Sequence, residues 1–505
     1  MNQTLVSEVR SSKRIVFNFI CGISEHLVSA GIALLLTPFL IDRLGLELYG
    51  LYPVVLELAT VFAVIFGIIN STSSRYIAIE AERGNFSEAS KYFSTAFFSN
   101  LILSSVLLAP MLIASAFSYR FLSVPSGATG DVCIFMTLAF LSVISDAVAA
   151  AFGSVYYITN RLDIRAGQRL AGAVTKAGTL LLLLKLFKPS MAGVGIAMLS
   201  SSLVSLLLQV AATKKFVPSL KLSKKLFSIS SVRQLSASGL WYSFNHIASV
   251  MMSGAFLVVS NIFLKPEISG TYSVAFVFSN SLSGVILTLA AIFVPISAKC
   301  FARGESKRLR DSLVRDQRVV GYFAAVSVPV GCVFCGDFFA LWLGNKSSPL
   351  LIVLSVFLVL PILSLACATP IIHVAMVMNR TRKLSLIFLG ASFVSLASAL
   401  FVAYFSPLGA IGLAALSCLS QIIWYSVAVP IFAGRVFSCS PKRFFVPILR
   451  TFFAALLAAV CCLLLRSVCR MGGWTQLLIV GTASAVLSAV TAFFGVYKDF
   501  SSTKF

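Results

Sequence analysis

The chain reads as an all-α polytopic membrane protein, and three observations predict it: its composition, a train of long apolar stretches and the placing of its positive charges. Hydrophobic residues make up 58% of the 505 and the mean hydropathy is +0.96, which leaves too little polar surface to coat a water-soluble globule of this size. A lipid-facing surface removes that difficulty. Only 11% of residues are charged, yet Lys and Arg outnumber Asp and Glu 40 to 17. In a soluble chain such an excess would suggest nucleic acid. In a membrane chain loop orientation accounts for it, and no nucleic-acid partner is expected.

About fourteen apolar stretches are long enough to cross roughly 30 Å of hydrocarbon at 1.5 Å per helical residue. They lie near 15–41, 48–70, 92–118, 132–158, 169–187, 191–212, 236–262, 271–297, 319–341, 350–378, 384–405, 409–433, 446–465 and 475–497. The first follows Arg10, Lys13 and Arg14, is too long for the apolar core of a cleaved signal and carries Glu25 and His26. It is therefore expected to remain as a helix. With the amino terminus placed in the cytoplasm, 31 Lys and Arg fall on that face. Eight, namely Arg43, Arg120, Lys185, Lys188, Lys265, Lys346, Arg466 and Arg470, fall on the other, and Lys176 lies inside a span. That split predicts an even number of spans with both termini cytoplasmic.

The chain also repeats itself. A shift of 220 residues sets His26 and Ser29 on His246 and Ser249, Gly50, Tyr52 and Val54 on Gly270, Tyr272 and Val274, and Arg83-Gly84 on Arg303-Gly304. A shift of 219 sets Asn160-Arg161 on Asn379-Arg380, and one of 217 sets Gly195, Ala197, Leu199 and Ser200 on Gly412, Ala414, Leu416 and Ser417. Each match alone is weak; their order at nearly one offset is the signal. Six spans per copy, an even number, predict two six-helix lobes in the same orientation, related by a pseudo-two-fold along the membrane normal, plus a C-terminal helix pair. Such a plan suits a transporter whose substrate sits between rocking lobes.

The expected divisions are an N-lobe at 1–212, a linker at 213–235, a C-lobe at 236–434 and a terminal pair with tail at 435–505. The linker carries Lys214, Lys215, Lys221, Lys224, Lys225 and Arg233 and no acid. It reads as a solvated cytoplasmic segment fixing topology, with docking to anionic headgroups as the alternative.

The first hairpin carries Leu36-Thr37-Pro38-Phe39-Leu40-Ile41, then Leu44-Gly45 and Tyr49-Gly50-Leu51; Gly67-Ile68, Ser74-Arg75-Tyr76-Ile77-Ala78 and Gly84-Asn85 follow. These residues resemble the Wzx-type polysaccharide flippases of the MOP superfamily, which also holds multidrug extrusion transporters and lipid II flippases. The likeness covers the two-lobe plan, with its sharpest residues in the first ninety. It implies translocation of an undecaprenyl-pyrophosphate-linked oligosaccharide from the inner to the outer leaflet of a bacterial inner membrane, for surface polysaccharide such as O-antigen. It further implies a monomer working in the bilayer, with polysaccharide polymerase or assembly proteins as partners and no cofactor beyond coupling to H⁺ or Na⁺.

Such a headgroup needs a polar cavity and its pyrophosphate needs cations. A lysine in mid-span costs about 2.5 to 3.5 kcal/mol on insertion scales, so Lys176 should meet a wet interior, an anionic substrate or an acid such as Asp146, unless it snorkels to an interface. Arg75, where the second span reaches the cytoplasm, could receive the pyrophosphate or merely set topology. Tyr52 and Asn70 complete the candidate substrate-binding set. Among the intramembrane acids, Asp146, Glu25 and Glu57 are candidates for ion coupling, with Asp337 nearer an outer end. Glu25 shares a helix face with Ser29, and Ser142 with Asp146. His26, His246 and His373 read as proton relays or as buried packing imidazoles. Pro38 and Pro295 are expected to break their helices around the cavity or gate.

Other chemistry is disfavoured. Cys332 and Cys335 form a C-x-x-C inside an apolar run without a second pair or a nearby His, so no metal site is expected. No P-loop motif occurs. A membrane enzyme such as a polymerase or glycosyltransferase needs a large outer loop, and the outer loops here are short. The main alternative is a cation-coupled exporter of drugs or small molecules on the same plan, which should favour an acidic or apolar cavity.

Overall fold

The computed structural model describes residues 2–469 and 472–493, and the side chains among them except at 2–16, 19 and 238. Arg470 and the tail lysines Lys498 and Lys504 lie outside the described residues, as do the side chains of Arg10, Lys13 and Arg14.

Hydrocarbon offers no partner to backbone N–H and C=O groups, so a span must satisfy them internally, and every described spanning element is a helix. In order they are α1 (Asn2–Leu44), α2 (Leu46–Glu82), α3 (Phe86–Ala116), α4 (Thr129–Ala149), α5 (Leu162–Leu186) and α6 (Met191–Phe216). Then come α7 (Ile229–Met252 with Gly254–Phe263), α8 (Pro266–Ala302), α9 (Ser306–Lys346), α10 (Pro349–Val377), α11 (Thr381–Phe405), α12 (Gly409–Val436), α13 (Lys442–Val468) and α14 (Trp474–Ala492). Among the described residues, 12 helices are long and apolar enough to cross a membrane, and α7, bent by 43° between Gly239–Met252 and Gly254–Phe263, makes 13. The remaining expected span corresponds to α5. At 25 residues it is long enough, but Arg165, Arg169, Lys176 and Lys185 lower its hydropathy. The count of fourteen is therefore approximate by composition, and its one polar member marks where the interior is polar.

Local chemistry sets the helix ends. Gly84 takes φ 76°, and the Asn85 side chain accepts from the Glu88 N–H at 3.2 Å, capping α3. The Asp131 carboxylate on α4 accepts from the Met191 and Ala192 N–H groups at 2.6 and 2.8 Å, so α6 starts on a negative charge. Matched repeat positions share conformation. Gly304 takes φ 72° like Gly84, and Asn379 takes φ 53° where Asn160 takes 49°, a left-handed geometry that asparagine tolerates better than most residues.

The two prolines behave differently. Pro38 does not break its helix as expected, because α1 runs through it to Leu44; membrane helices absorb the lost bond through neighbouring hydroxyls and adjacent helices. Pro295 lies just past an interruption between Ala291 and Val294, in the first turn of the resumed helix, where its fixed φ fits.

The chain forms two compact units. The first comprises residues up to Val250 with Lys265–Gly270, the second Met251–Leu264 with the residues from Thr271 on. In the first, α4 packs on α6, α5 on α6 and on α1, and α2 on α3, around a core that includes Ile69, Ile77, Phe93, Val155 and Tyr156. There Gly239 of α7 meets the Ile68 carbonyl so closely that no Cβ would fit, and Thr72 donates to the Leu235 carbonyl at 3.1 Å. Residues 213–235 belong to this unit and are fastened to α3: the Lys221, Ser223 and Ser228 N–H groups donate to Ser90, Ser94 and Thr95 at 3.0 to 3.2 Å. In the second, α9 packs on α13 and α10 around Ile286, Val320, Val328, Ile362 and Ala454.

Candidate functional site

Polar residues on α2 stand at Asn70, Ser71, Ser74, Arg75 and Glu82, positions that at 100° per residue fall on one side of the helix, within about 140°. On α5, Arg165, Arg169 and Lys176 stand at i, i+4 and i+11. At 100° per residue these three fall within about 40° of one another, spread over roughly 17 Å of axis. The two helices contribute to one cavity inside the first unit, of about 930 Å³. Asp146 from the end of α4, Ser205 and Gln209 from α6, Tyr242 from α7 and the Tyr156-Tyr157 turn complete its wall, beside Arg75, Arg165, Gln168 and Arg169.

The arginines differ in their engagements. Arg75 is exposed and makes no hydrogen bond or ion pair among the described residues. Arg165 donates to the Tyr157 hydroxyl and lies 5.3 Å from that ring's centroid, so ring and guanidinium hold each other in place. Arg169 faces Glu25 of α1 with 3.8 Å between Nη1 and Oε2. The Ser29 hydroxyl donates to the other Glu25 oxygen at 3.1 Å, as their four-residue spacing on one helix face suggests.

Asn70 lines the cavity with its amide fixed from behind. The Asn100 amide donates to Asn70 Oδ1 at 2.7 Å and to the Ala147 carbonyl at 2.9 Å, and Asn70 donates to the same carbonyl at 3.3 Å. This ties α2, α3 and α4 together where the wall forms. Asp146 turns into the cavity and is exposed there. Ser142, on the same face, donates to the Leu138 carbonyl at 2.9 Å instead of to Asp146.

Lys176 and Tyr52 lie outside the cavity wall and engage each other. The ammonium donates to the Tyr52 hydroxyl at 2.6 Å and stands 5.1 Å from the ring centroid. The alternative of a salt bridge to Asp146 is thus not what forms, since the lysine reaches α2 and the acid points into the cavity. Glu57 is half-buried and makes no hydrogen bond or ion pair among the described residues. Of the histidines in matched positions, His26 has a buried Nε2 without a hydrogen-bond partner, and His246 lies with its ring centroid 6.5 Å from that of Tyr242.

The structure thus gathers Arg75, Asn70 and Asp146 at one cavity and leaves Lys176, Tyr52, Glu25 and Glu57 off its wall. Sequence reasoning passed over Arg165 and Arg169, counting them as cytoplasmic loop charges, and it passed over Gln168, Gln209, Tyr157 and Tyr242. The i, i+4, i+11 spacing with Lys176 was the available signal for the arginines. The tyrosines and glutamines come from separate elements and leave no such pattern. A second groove, of about 690 Å³ along α14 between Leu478 and Val490, is apolar and offers a polar headgroup nothing to bind.

The sequence profile described as "Polysaccharide biosynthesis protein" matches residues 15–301. The chain is 23% identical over 483 residues, 95% of each protein, to "Uncharacterized membrane protein EpsK" of Bacillus subtilis (strain 168). Among solved structures, lipid II flippase MurJ in an inward closed conformation superposes with a TM-score of 0.67 at 13% identity, covering 97% of this chain and 100% of that one. A multidrug resistance MATE family transporter of the MOP superfamily, in an inward-facing conformation, gives 0.58 at 16% identity, over 82% and 94%.

Proposed function

Since the chain belongs to the polysaccharide biosynthesis protein family and has the fold of MOP-superfamily transporters, we propose that it is a flippase for undecaprenyl-pyrophosphate-linked oligosaccharides. In this reading it carries them from the inner to the outer leaflet of a bacterial inner membrane, with both termini cytoplasmic. The observation that carries the reading is the arginine trio of the cavity, Arg75, Arg165 and Arg169, continued along α5 by Lys176.

A pyrophosphate leaving water loses hydration that only charge-assisted hydrogen bonds replace at comparable strength. Arg75, with no side-chain partner among the described residues, can supply a bidentate pair, and Arg165 is oriented by Tyr157. The saccharide suits the remaining wall. Tyr157 and Tyr242 are 44% and 43% exposed, so their rings present flat apolar surface to sugar C–H groups, while Gln168, Gln209 and Asn70 offer amides to hydroxyls. The polyprenyl tail stays in the bilayer. Two negative charges moving outward across an inside-negative membrane gain about 2 × 2.3 kcal/mol per 100 mV. The potential therefore favours export, and the protein's task is to lower the desolvation barrier.

Asp146 in the same wall favours a second reading, a cation-coupled exporter of small molecules in which the acid takes the cargo or the coupling ion.

One experiment separates them. The purified chain in vesicles should flip a fluorescent lipid-linked oligosaccharide, and Arg75→Gln and Arg165→Gln should each reduce flipping about tenfold or more, the loss of roughly 1.4 kcal/mol. Export of amine drugs at wild-type rates by both variants, with no lipid flipping by the wild type, would establish the exporter instead.

A further inference from the structure

We infer that Glu25 is a built-in counter-ion that weakens the hold of Arg169 on substrate phosphate, so that the headgroup is released instead of trapped. This rests on the flippase reading above.

The geometry is asymmetric. The Arg169 side chain is 55% exposed, within the cavity wall, whereas the Glu25 side chain is 13% exposed. The acid stands behind the arginine, on α1, and is not itself part of the lining. It is anchored there by Ser29, whose hydroxyl donates to Oε1, leaving Oε2 toward Arg169. The separation of 3.8 Å exceeds the 2.7 to 2.9 Å of a tight charge-assisted bond. The guanidinium is thus partly neutralised without having its donors used up. A locked bidentate pair would close the site, and an arginine with no counter-ion would bind phosphate most strongly. This intermediate arrangement keeps the donors available and lowers the affinity.

The three wall arginines are graded accordingly. Arg75 has no counter-ion among the described residues, Arg165 is held by a neutral phenol and Arg169 by a carboxylate. Arg169 lies one turn further along α5 than Arg165 in the direction of Lys176. A phosphate that moves along α5 therefore meets the most weakened cation after the stronger ones, which favours onward transfer over retention. Transport needs such a limit, because binding energy that stabilises the loaded state equally raises the barrier to leaving it.

The test is a double-mutant cycle on the full-length chain in detergent, read as affinity for inorganic pyrophosphate and for the lipid-linked oligosaccharide, with flipping in vesicles alongside. Glu25→Gln keeps size and the Ser29 bond while removing the charge. It should tighten pyrophosphate binding about tenfold and slow flipping. Glu25→Asp, which keeps the charge, should stay within about twofold of wild type. In an Arg169→Gln background, Glu25→Gln should change affinity by less than about twofold, since the coupling runs through that arginine. A gain of affinity is not what structural damage produces, so misfolding cannot imitate the expected result. If the wild type binds pyrophosphate but Glu25→Gln, at unchanged melting temperature, leaves affinity equal or weaker, or if its gain survives loss of Arg169, the counter-ion role is refuted while the flippase reading stands. If the wild type binds neither pyrophosphate nor the lipid, both fall together.

Discussion

The Lys176 ammonium donates to the Tyr52 hydroxyl at 2.6 Å with the ring centroid 5.1 Å away, so the one cation of mid-α5 is held against α2 by a neutral phenol. A charge at this depth is costly unless paired, and a phenol compensates it only in part. An arriving phosphate can therefore compete for it. Lys176→Ala is expected to reduce flipping at least about tenfold, roughly 1.4 kcal/mol, with normal expression, and Lys176→Arg to retain part of the activity. Tyr52→Phe keeps the ring and should cost less than Lys176→Ala. Normal flipping by the Ala variant at normal expression would remove Lys176 from the transport path.

The repeat makes a paired prediction. Asn100 donates to the Ala147 carbonyl at 2.9 Å in the first unit, and Gln317 donates to the Cys367 carbonyl at 3.0 Å in the second; the offsets are 217 and 220 residues, those of the repeat. Each bond fastens a buried side-chain amide to a carbonyl of another helix, and losing it costs about 0.5–1.5 kcal/mol. Asn100→Ala and Gln317→Ala should both lower the melting temperature in detergent. Asn100→Ala should do so more, because the Asn70 amide loses its donor too. Equal melting temperatures for wild type and both variants would contradict this.

Packing along α2 sets up a contrast between two glycines. A Cβ on Gly239 would overlap the Ile68 carbonyl, whereas one on Gly178 would meet nothing within 4 Å. Backbone cannot yield as a side-chain tip can, so Gly239→Ala should destabilise by about 1–3 kcal/mol or more. Gly178→Ala, in the interior of α5, should be neutral or stabilising by up to about 1 kcal/mol through helix propensity. Monodisperse yield after purification and melting temperature provide the comparison. A Gly239→Ala variant as stable as Gly178→Ala would mean that α2 and α7 do not pack this closely.

Of the three candidate coupling acids, Asp146 is the one that lines the cavity. If an ion drives the cycle, Asp146→Asn should leave folding intact and abolish the response of flipping to imposed H⁺ or Na⁺ gradients in vesicles. Glu57→Gln, off the cavity wall, should retain it. A gradient response unchanged in Asp146→Asn would exclude this acid from coupling.

The multi-pass helical fold, nearly all of its spans and the repeat were legible in the amino acids, because hydrocarbon admits little besides helices and because apolar length is a one-dimensional property. Gly84 with Gly304 and Asn160 with Asn379 were matched by offset and proved to share left-handed backbone. Arg75, Asn70 and Asp146 could be singled out as unusual polar residues on apolar helices. Their meeting at one cavity depended on how α2, α4 and α5 pack. Only tertiary structure decided that Lys176 answers to Tyr52 and not to Asp146, that Glu25 stands behind Arg169, and that Tyr157, Tyr242 and Gln209 share a wall. The physical reason is that helix periodicity tells which residues share a face, but not which neighbouring helix that face will meet. Partner choice is settled by close packing, such as Gly239 against Ile68, that no single helix encodes by itself.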